Sequence, residues 1–169
     1  MSKVMPSDKE RVMKNNDFIV SKTDLSGKIV YCNEIFMDMA DMREDELLGK
    51  PHSIVRHPDM PKAVFKLLWD RVQNDKEIFA YVKNLSADGS CYWVYANVTP
   101  SYNAKGERIG YYSVRIKPNE RALEIIKPLY EKMIAVEKSL GVDASANYLF
   151  DLLEEKGVSY DEFIIKIQG

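Results

Sequence analysis

A run of nine residues, SIVRHPDMP at positions 53–61, concentrates polar chemistry in a proline-rich stretch. It places a guanidinium (Arg56), an imidazole (His57) and a carboxylate (Asp59) within four consecutive positions. The two prolines of the run restrict the backbone around these side chains. An arginine pairs with phosphate or carboxylate groups in a forked geometry. The run is therefore either a surface turn with its own salt bridge or a rigid clamp for an anionic ligand.

Three further side chains are candidates for a binding site. Asn33 follows a strand-like segment, where it either caps the helix predicted from Glu34 or contacts a ligand. Asn84 lies within a predicted strand, where Asn is unfavoured, so a polar partner on that face or an outward-facing edge position is expected. Trp69 and Phe65 have helical i,i+4 spacing, which is typical of a core position and also of a cavity wall.

Composition excludes several classes of function. The 169 residues carry 24 basic and 26 acidic side chains, mixed along the chain, and a formal net charge of −2. We therefore expect no nucleic-acid binding, and no apolar run is long enough for direct membrane insertion. Cys32 and Cys91 belong to no metal-ligand motif, so we expect reduced thiols in a cytoplasmic protein. No nucleophile–base arrangement or phosphate-binding loop is present, so we expect neither an enzyme nor a metal site.

Hydrophobic periodicity and turn signals predict an α+β domain. A short helix capped by Ser7 is expected first, followed by two strands, short helices, a longer helix and a three-stranded meander. The predicted ranges are helices at 7–16, 34–42, 43–51 and 62–75, and strands at 18–24, 29–33, 77–86, 91–102 and 108–117. This order favours a five-stranded antiparallel sheet with short helices on one face, and a cavity between the two layers.

The composition changes after residue 118, where amphipathic helices are predicted to the end of the chain. Pro128 is expected to kink the first of them or to start a second piece, Gly157 to end the next, and Ser159 to cap the last. We therefore divide the chain into a cap helix at 1–16, a sheet domain at 17–118 and a C-terminal helical extension at 119–169. The apolar faces of the extension are compatible with packing on the domain, with a homodimer or with docking of a partner.

Four segments carry a resemblance to a known family. They are KTDLSGKIVYCNEIF (22–36), ELLGKPHSIVRHPDMPKAVFKLLW (46–69), VKNLSADGSCYWVYANVTP (82–100) and GYYSVRIKP (110–118). Together they resemble the flavin-binding PAS sensor domain of bacterial aerotaxis and energy-taxis receptors, over roughly residues 17–133. The resemblance implies the PAS fold and an FAD cofactor whose redox state reports oxygen or cellular redox conditions to the chemotaxis machinery.

The resemblance also implies a set of cofactor-binding residues. The positions that match the family's flavin site are Asn33, Arg56, His57, Asp59, Trp69 and Asn84. One position departs from the family pattern, because the Trp expected before the Lys-Asn strand is Ile78 here. Either the contact between this Trp and the flavin ring is lost, or a one-residue shift of the strand brings the Phe79 ring to the position of the Trp.

The resemblance to this family also suggests alternative functions and a signalling partner. A PAS module without cofactor, acting in dimerisation or protein interaction, is the alternative that Ile78 favours, and a haem-binding PAS sensor through His52 or His57 is a weaker one. The family's receptors carry a membrane anchor and a methyl-accepting region that this sequence does not contain. We therefore expect a stand-alone sensor that signals by contact with a separate membrane chemoreceptor carrying a HAMP-type relay.

Overall fold

The computed structural model describes residues 4–169 and contains one five-stranded antiparallel sheet. The strands are β1 (Ile19–Asp24), β2 (Ile29–Cys32), β3 (Ile78–Leu85), β4 (Cys91–Tyr102) and β5 (Arg108–Ile116). Their spatial order is β2-β1-β5-β4-β3, so that β2 and β3 are the edge strands. The α+β class and the five-stranded antiparallel sheet predicted from the sequence are confirmed.

Helices cover both faces of this sheet. The helices before β3 are α1 (Glu34–Ala40), α2 (Glu44–Leu47) and α3 (Lys62–Gln73), with a 3₁₀ turn at His52–Val55. The helices after β5 are α4 (Glu120–Leu140), α5 (Val142–Lys156) and α6 (Tyr160–Gln168). Strand alternation separates the two faces: Val82 and Asn84 face α3, while Phe79 and Tyr81 face α4 and α6.

The C-terminal extension packs on the outer face of the sheet. The hydroxyl of Tyr130 in α4 donates to the carbonyl of Tyr81 (2.7 Å), and the hydroxyl of Tyr160 in α6 donates to the carbonyl of Phe79 (2.8 Å). The Tyr81 hydroxyl in turn donates to Gln168 Oε1 (2.9 Å). Two tyrosines of the extension therefore satisfy backbone carbonyls of edge strand β3, and packing on the domain is the arrangement that the structure shows.

The boundaries of the extension follow its local signals. Gly157 ends α5 in the left-handed conformation (φ 68°), and the Ser159 side chain accepts a hydrogen bond from the amide of Glu162 at the start of α6. Both assignments confirm the sequence prediction. Pro128 lies inside α4, which continues through it as one helix, so the expectation of a second piece starting there is wrong.

The N-terminal cap helix predicted at 7–16 is also wrong where the structure describes it; residues 1–3 of the cap lie outside the described part. Residues 7–11 are extended along the start of β4, with the Arg11 amide donating to Cys91 O (2.7 Å) and the Cys91 amide donating to Lys9 O (2.9 Å). The reason is that β5 ends at Ile116 opposite Tyr95, which leaves the first residues of β4 without a strand on that side. Hydrogen-bonding to this free edge outweighs the weak helix propensity of a short polar segment.

The short helices end earlier than predicted. Helix α1 stops at Ala40 because Asp41 adopts the left-handed conformation (φ 55°), and α2 is a single turn whose capping box places the Glu46 carboxylate on the Arg43 amide. None of the helices between residues 4 and 169 combines the length and the hydrophobicity that crossing a lipid bilayer requires.

Candidate ligand-binding cavity

A cavity of about 280 Å³ lies between the inner face of the sheet and helix α3. Apolar side chains of α3 form one wall, and inward-facing residues of β1, β3, β4 and β5 form the other. The α3 residues are Phe65, Leu68, Trp69 and Val72. This volume is just below the range of pockets that enclose a whole drug-sized ligand, so it suits a single ring system.

Trp69 is a fixed part of the cavity wall. Its ring packs edge-on against Tyr111 of β5, with centroids 5.3 Å apart and an interplanar angle of 83°. Gly27 in the β1–β2 turn packs against the other side; it has a φ of +86°, and a Cβ there would lie 3.2 Å from Trp69 Cη2. Trp69 is therefore held between the sheet and the turn as part of the cavity wall, and its contact with a cofactor stays a prediction.

The RHPDMP run is hydrogen-bonded to the edge of β3. Arg56 forms a β-bridge with Asn84, and the His57 amide donates to the carbonyl of Lys83 (3.4 Å). The His57 Nδ1 atom accepts from the Asp59 amide (3.0 Å), which closes the turn on itself. Burial and the charge of Lys83 lower the pKa of His57, which favours the neutral ring that this acceptor role requires.

Arg56 lies at the mouth of the cavity. The Arg56 backbone bridges to β3, and the residue is exposed to solvent. Its guanidinium carbon lies 3.7 Å from the centre of the Phe65 ring. This stacking orients the guanidinium, whose donors make no hydrogen bond to the described residues 4–169. The structure therefore places a pre-oriented cation where the cavity opens to solvent.

The polar side of the cavity is built by alternate residues of the strands. Asn84 on β3 is buried, and Ser21 and Thr23 on β1 and Ser113 on β5 face the same space. The Thr23 hydroxyl is buried and has no hydrogen-bond partner among residues 4–169. Buried hydroxyls and amides without full partners are costly, so this edge of the cavity is suited to the polar rim of a ligand.

Arg115 is the second cation of the cavity. Its side chain is buried between Ser21, His52 and the Phe36 ring, with Nη2 donating to Ser21 Oγ (2.6 Å) and Nη1 lying 3.0 Å from His52 Nε2. Burial is the main cause, and the Arg115 charge the second, of a lowering of the pKa of His52 to about 3. A neutral His52 then accepts from Arg115 at Nε2.

Three of the predicted site residues lie outside the cavity lining. The Asn33 side chain caps α1 by accepting from the Phe36 amide (3.2 Å) and also binds the backbone of β1. His57 is buried within its own turn, and the exposed Asp59 carboxylate lies 3.8 Å from Lys83 Nζ. The structure thus brings Arg56, Trp69 and Asn84 together around one space and places Asn33, His57 and Asp59 outside its lining. Contact of any of the six with a ligand stays a prediction.

The Ile78 position shows no strand shift. Ile78 pairs with Val98 in a regular β3–β4 register and is fully buried. Phe79 stacks on Tyr95 on the outer face, with centroids 5.7 Å apart. A one-residue shift that brings Phe79 into the cavity is therefore wrong, and the inner face carries an aliphatic side chain at this position.

Sequence reasoning missed Ser21, Thr23, Tyr111, Ser113 and Arg115. The last three alternate along GYYSVRIK, and this period of two was the available signal: a Ser and an Arg on the same face as a buried Tyr. The three residues line the cavity together with α3, so this face of β5 lies toward that helix. Within residues 4–169, no group of three or more His, Cys, Asp or Glu side chains is arranged to hold a metal ion.

Comparison with known proteins gives consistent results. A family model described as PAS fold matches residues 29–115, which is half of the chain. The aerotaxis receptor of Escherichia coli (strain K12) is 36% identical over 117 residues, covering 69% of this chain and 23% of that protein. The chain therefore spans less than a quarter of the length of this relative.

Solved structures share the fold. The light-state structure of the blue-light photoreceptor Aureochrome1 LOV superposes with a TM-score of 0.57 and 22% identity, covering 68% of this chain and 90% of that chain. A PAS domain from Colwellia psychrerythraea superposes with a TM-score of 0.55 and 18% identity, covering 62% and 88%. With the match to the family model, the sheet order and the cavity between α3 and the sheet, the chain belongs to the PAS-fold family.

Proposed function

We propose that this chain is an FAD-binding PAS sensor of redox or oxygen state that passes its state to a separate membrane chemoreceptor with a HAMP-type relay. The observation that carries the proposal is the asymmetry of the cavity: an apolar slot with a polar inner edge and a pre-oriented cation, Arg56, at its mouth. The relationship to an aerotaxis receptor supports the redox assignment. The proposal assigns no catalytic turnover to the chain.

The residues present fit the chemical parts of FAD. A flavin ring is flat and largely apolar with hydrogen-bonding edges. The Trp69 wall, the Asn84 amide and the Thr23 hydroxyl, which has no partner within the described residues, match these features. The cavity volume suits the ring alone and leaves the pyrophosphate to the mouth, where Arg56 is exposed. Arginine pairs with phosphate through two parallel hydrogen bonds, so Arg56 is the residue that distinguishes FAD from an uncharged flavin.

Bound FAD supplies reversible electron exchange, and the chain converts that change into contacts of its own residues. Asn84 projects into the cavity from β3, the strand whose outer carbonyls accept from Tyr130 and Tyr160. A change in the hydrogen bonds of the Asn84 amide therefore acts on the strand that the extension holds. We infer that the extension carries the signal, since it covers the outer side of β3.

The alternatives are less well supported by the geometry. A haem iron needs a free imidazole nitrogen, but His52 Nε2 already contacts Ser21 and Arg115. His57 does not line the cavity, and its Nδ1 accepts from the Asp59 amide. A cofactor-free interaction module explains Ile78. It does not explain Arg56 at the mouth of the cavity, or the Thr23 hydroxyl that lacks a partner in the described part of the chain.

The test is the absorption spectrum of the purified protein, followed by titration of the cofactor-free protein with FAD and with riboflavin. We expect a flavin spectrum, release of FAD on denaturation, and weakening of FAD binding by about tenfold in Arg56→Met, the loss of about one charge-assisted hydrogen bond. Riboflavin binding should be nearly unchanged in that variant, because riboflavin lacks phosphate. Lys62→Met, which removes an exposed cation at the start of α3, is the matched control.

Three results would contradict the cofactor part of the proposal. A colourless protein that also binds no added FAD leaves the cofactor-free module, and a Soret band indicates haem. Equal losses of FAD and riboflavin affinity in Arg56→Met would exclude a phosphate contact. The partner is tested separately by cross-linking the oxidised and reduced protein to the cytoplasmic part of a HAMP-containing chemoreceptor, where a redox-independent or absent product contradicts the signalling part.

A further inference from the structure

Arg115 places a positive charge in the cavity without a negative partner among residues 4–169. Its side chain is 3% exposed, it forms no ion pair with the described residues, and its Nε atom has no hydrogen-bond partner among them. Its neighbours include the Ser21 hydroxyl, the His52 imidazole, the buried Tyr92 and the Phe36 ring, whose centre lies 4.6 Å from the guanidinium carbon. The residues that line the cavity include two arginines and no carboxylate.

Such a charge is expensive for folding. Removing an unpaired ion from water costs several kcal/mol even after relaxation, and contact with an aromatic ring recovers only a part. Burial lowers the pKa of Arg115 to about 10, which still leaves the guanidinium charged at neutral pH. An apolar side chain of similar length would fill this place at lower cost.

The two hydrogen-bond partners of Arg115, Ser21 and His52, do not need it for their own hydrogen bonds. Ser21 Oγ and His52 Nε2 lie 3.0 Å apart and satisfy each other when the guanidinium is absent. The buried charge is therefore not explained by the packing or the hydrogen-bonding of the protein alone. Its open side faces the cavity, where a ligand is the remaining partner.

We propose that Arg115 is the residue that sets the charge preference of the cavity, favouring a ring system that carries or gains negative charge. This rests on the proposed function, since a flavin ring that takes up two electrons and one proton gains one negative charge. Arg115 stabilises that charge, so the protein binds the reduced ring more tightly than the oxidised ring and raises the midpoint potential. In the assay a soluble chemical reductant, dithionite, supplies the electrons.

Arg56 and Arg115 then have separate effects. Arg56 is exposed at the mouth and acts on affinity through phosphate, whereas Arg115 is buried and acts on the preference between redox states. A variant of Arg56 should change the affinity for FAD and leave the midpoint potential nearly unchanged. A variant of Arg115 should change the midpoint potential more than the affinity for the oxidised cofactor. This separation distinguishes the inference from a general electrostatic attraction of anions to the domain.

The experiment measures the midpoint potential of the FAD-loaded protein and the thermal unfolding of the cofactor-free protein. For Arg115→Met we expect at least a tenfold loss of preference for the reduced ligand, which is about 30 mV lower in a two-electron couple. The cofactor-free variant should unfold at the same temperature as the wild type or higher, because an unpaired buried charge is removed. Arg115→Lys keeps the positive charge, so its midpoint potential should stay close to that of the wild type. Arg121→Met, at an exposed site on α4, should change neither the midpoint potential nor the unfolding temperature.

Each remaining outcome counts against a defined part of the reasoning. An unchanged potential in an Arg115→Met protein that still binds FAD overturns the inference and leaves the proposed function intact. A cofactor-free Arg115→Met protein that unfolds several degrees earlier shows that Arg115 has a structural role, and so does an Arg115→Lys protein that loses the potential as completely as the Met variant. A wild-type protein that binds no FAD removes the proposed function and this inference together.

Discussion

Replacing Glu137 with alanine removes one of the contacts through which the C-terminal extension holds α3, the helix that forms a wall of the cavity. Helix α3 follows a proline and has no side-chain cap of its own. The Glu137 carboxylate of α4 supplies one instead, accepting from the amides of Lys62 (2.8 Å) and Ala63 (3.1 Å) and from the Ser145 hydroxyl (2.9 Å). The first turn of α3 therefore depends on a residue 75 positions later in the chain.

The expected loss of stability follows from these contacts. Removing a helix cap costs about 0.5–2 kcal/mol, and a hydrogen bond to a charged group is worth about 1.5–3 kcal/mol. Because Glu137 is only half-buried, water replaces part of what is lost. We expect Glu137→Ala to lower the free energy of unfolding by about 2 kcal/mol, or the melting temperature by about 4–8 °C. Glu137→Gln, which keeps one acceptor oxygen, should show about half of this effect.

Chemical denaturation and amide hydrogen exchange test this prediction together. The amides of Lys62 and Ala63 should exchange faster in Glu137→Ala, while amides in β4 should change only through global stability. The matched control is Glu131→Ala, which removes an exposed carboxylate from the same helix and should stay within about 0.5 kcal/mol of the wild type. If the two variants lose equal stability, or if the α3 amides do not respond, the carboxylate does not cap α3.

Two further predictions concern the buried polar groups. Burial and the charges of Arg115 and Arg56 hold the pKa of His52 at about 3, so below pH 6.5 the unfolded chain binds a proton that the folded chain does not. Between pH 7.5 and 5.5 the wild type should therefore lose about 1.4 kcal/mol more stability than His52→Gln in urea denaturation. Parallel pH profiles of the two proteins would contradict this. Tyr130→Phe leaves the Tyr81 carbonyl without its 2.7 Å donor and should cost about 1–3 kcal/mol, with faster exchange at β3. Tyr148→Phe, at a half-buried residue of α5, is its control, and equal losses would show that the Tyr130 hydroxyl is not specific.

The sheet was predictable from the sequence because its signals are local. Gly27, the Asp88-Gly89 pair and the Gly106 turn mark the hairpins, and β4 was predicted with the bounds that the structure shows. The N-terminal segment could not be predicted in this way. Its conformation depends on the unpaired first residues of β4, and the missing partner arises only from the relative lengths of β4 and β5 in the folded sheet.

Site residues that belong to a contiguous sequence motif were predictable, whereas those brought together only by the folded sheet were not. Arg56 and Trp69 belong to contiguous segments that resemble a known family, so their position was available from the sequence. Arg115 comes from a strand that reads as ordinary β structure, and its partners Ser21 and His52 lie 94 and 63 positions away. The pairing of β1 with β5 brings Ser21 to Arg115, and the bridge between Lys28 and Pro51 holds the turn that carries His52 beside the sheet.

The extended N-terminal segment also limits how the sheet can grow. A strand with free amide and carbonyl groups is a template for addition of a strand from another molecule, which is a common route to aggregation and to peptide capture. Here residues 7–11 occupy the free part of β4, and Gly89 allows the close approach, since a Cβ there would lie 2.7 Å from the Met5 carbonyl oxygen. Shortened forms of the chain that begin after this segment would expose the unpaired edge of β4 to strand addition. Colloidal stability and self-association therefore depend on a stretch that does not line the cavity.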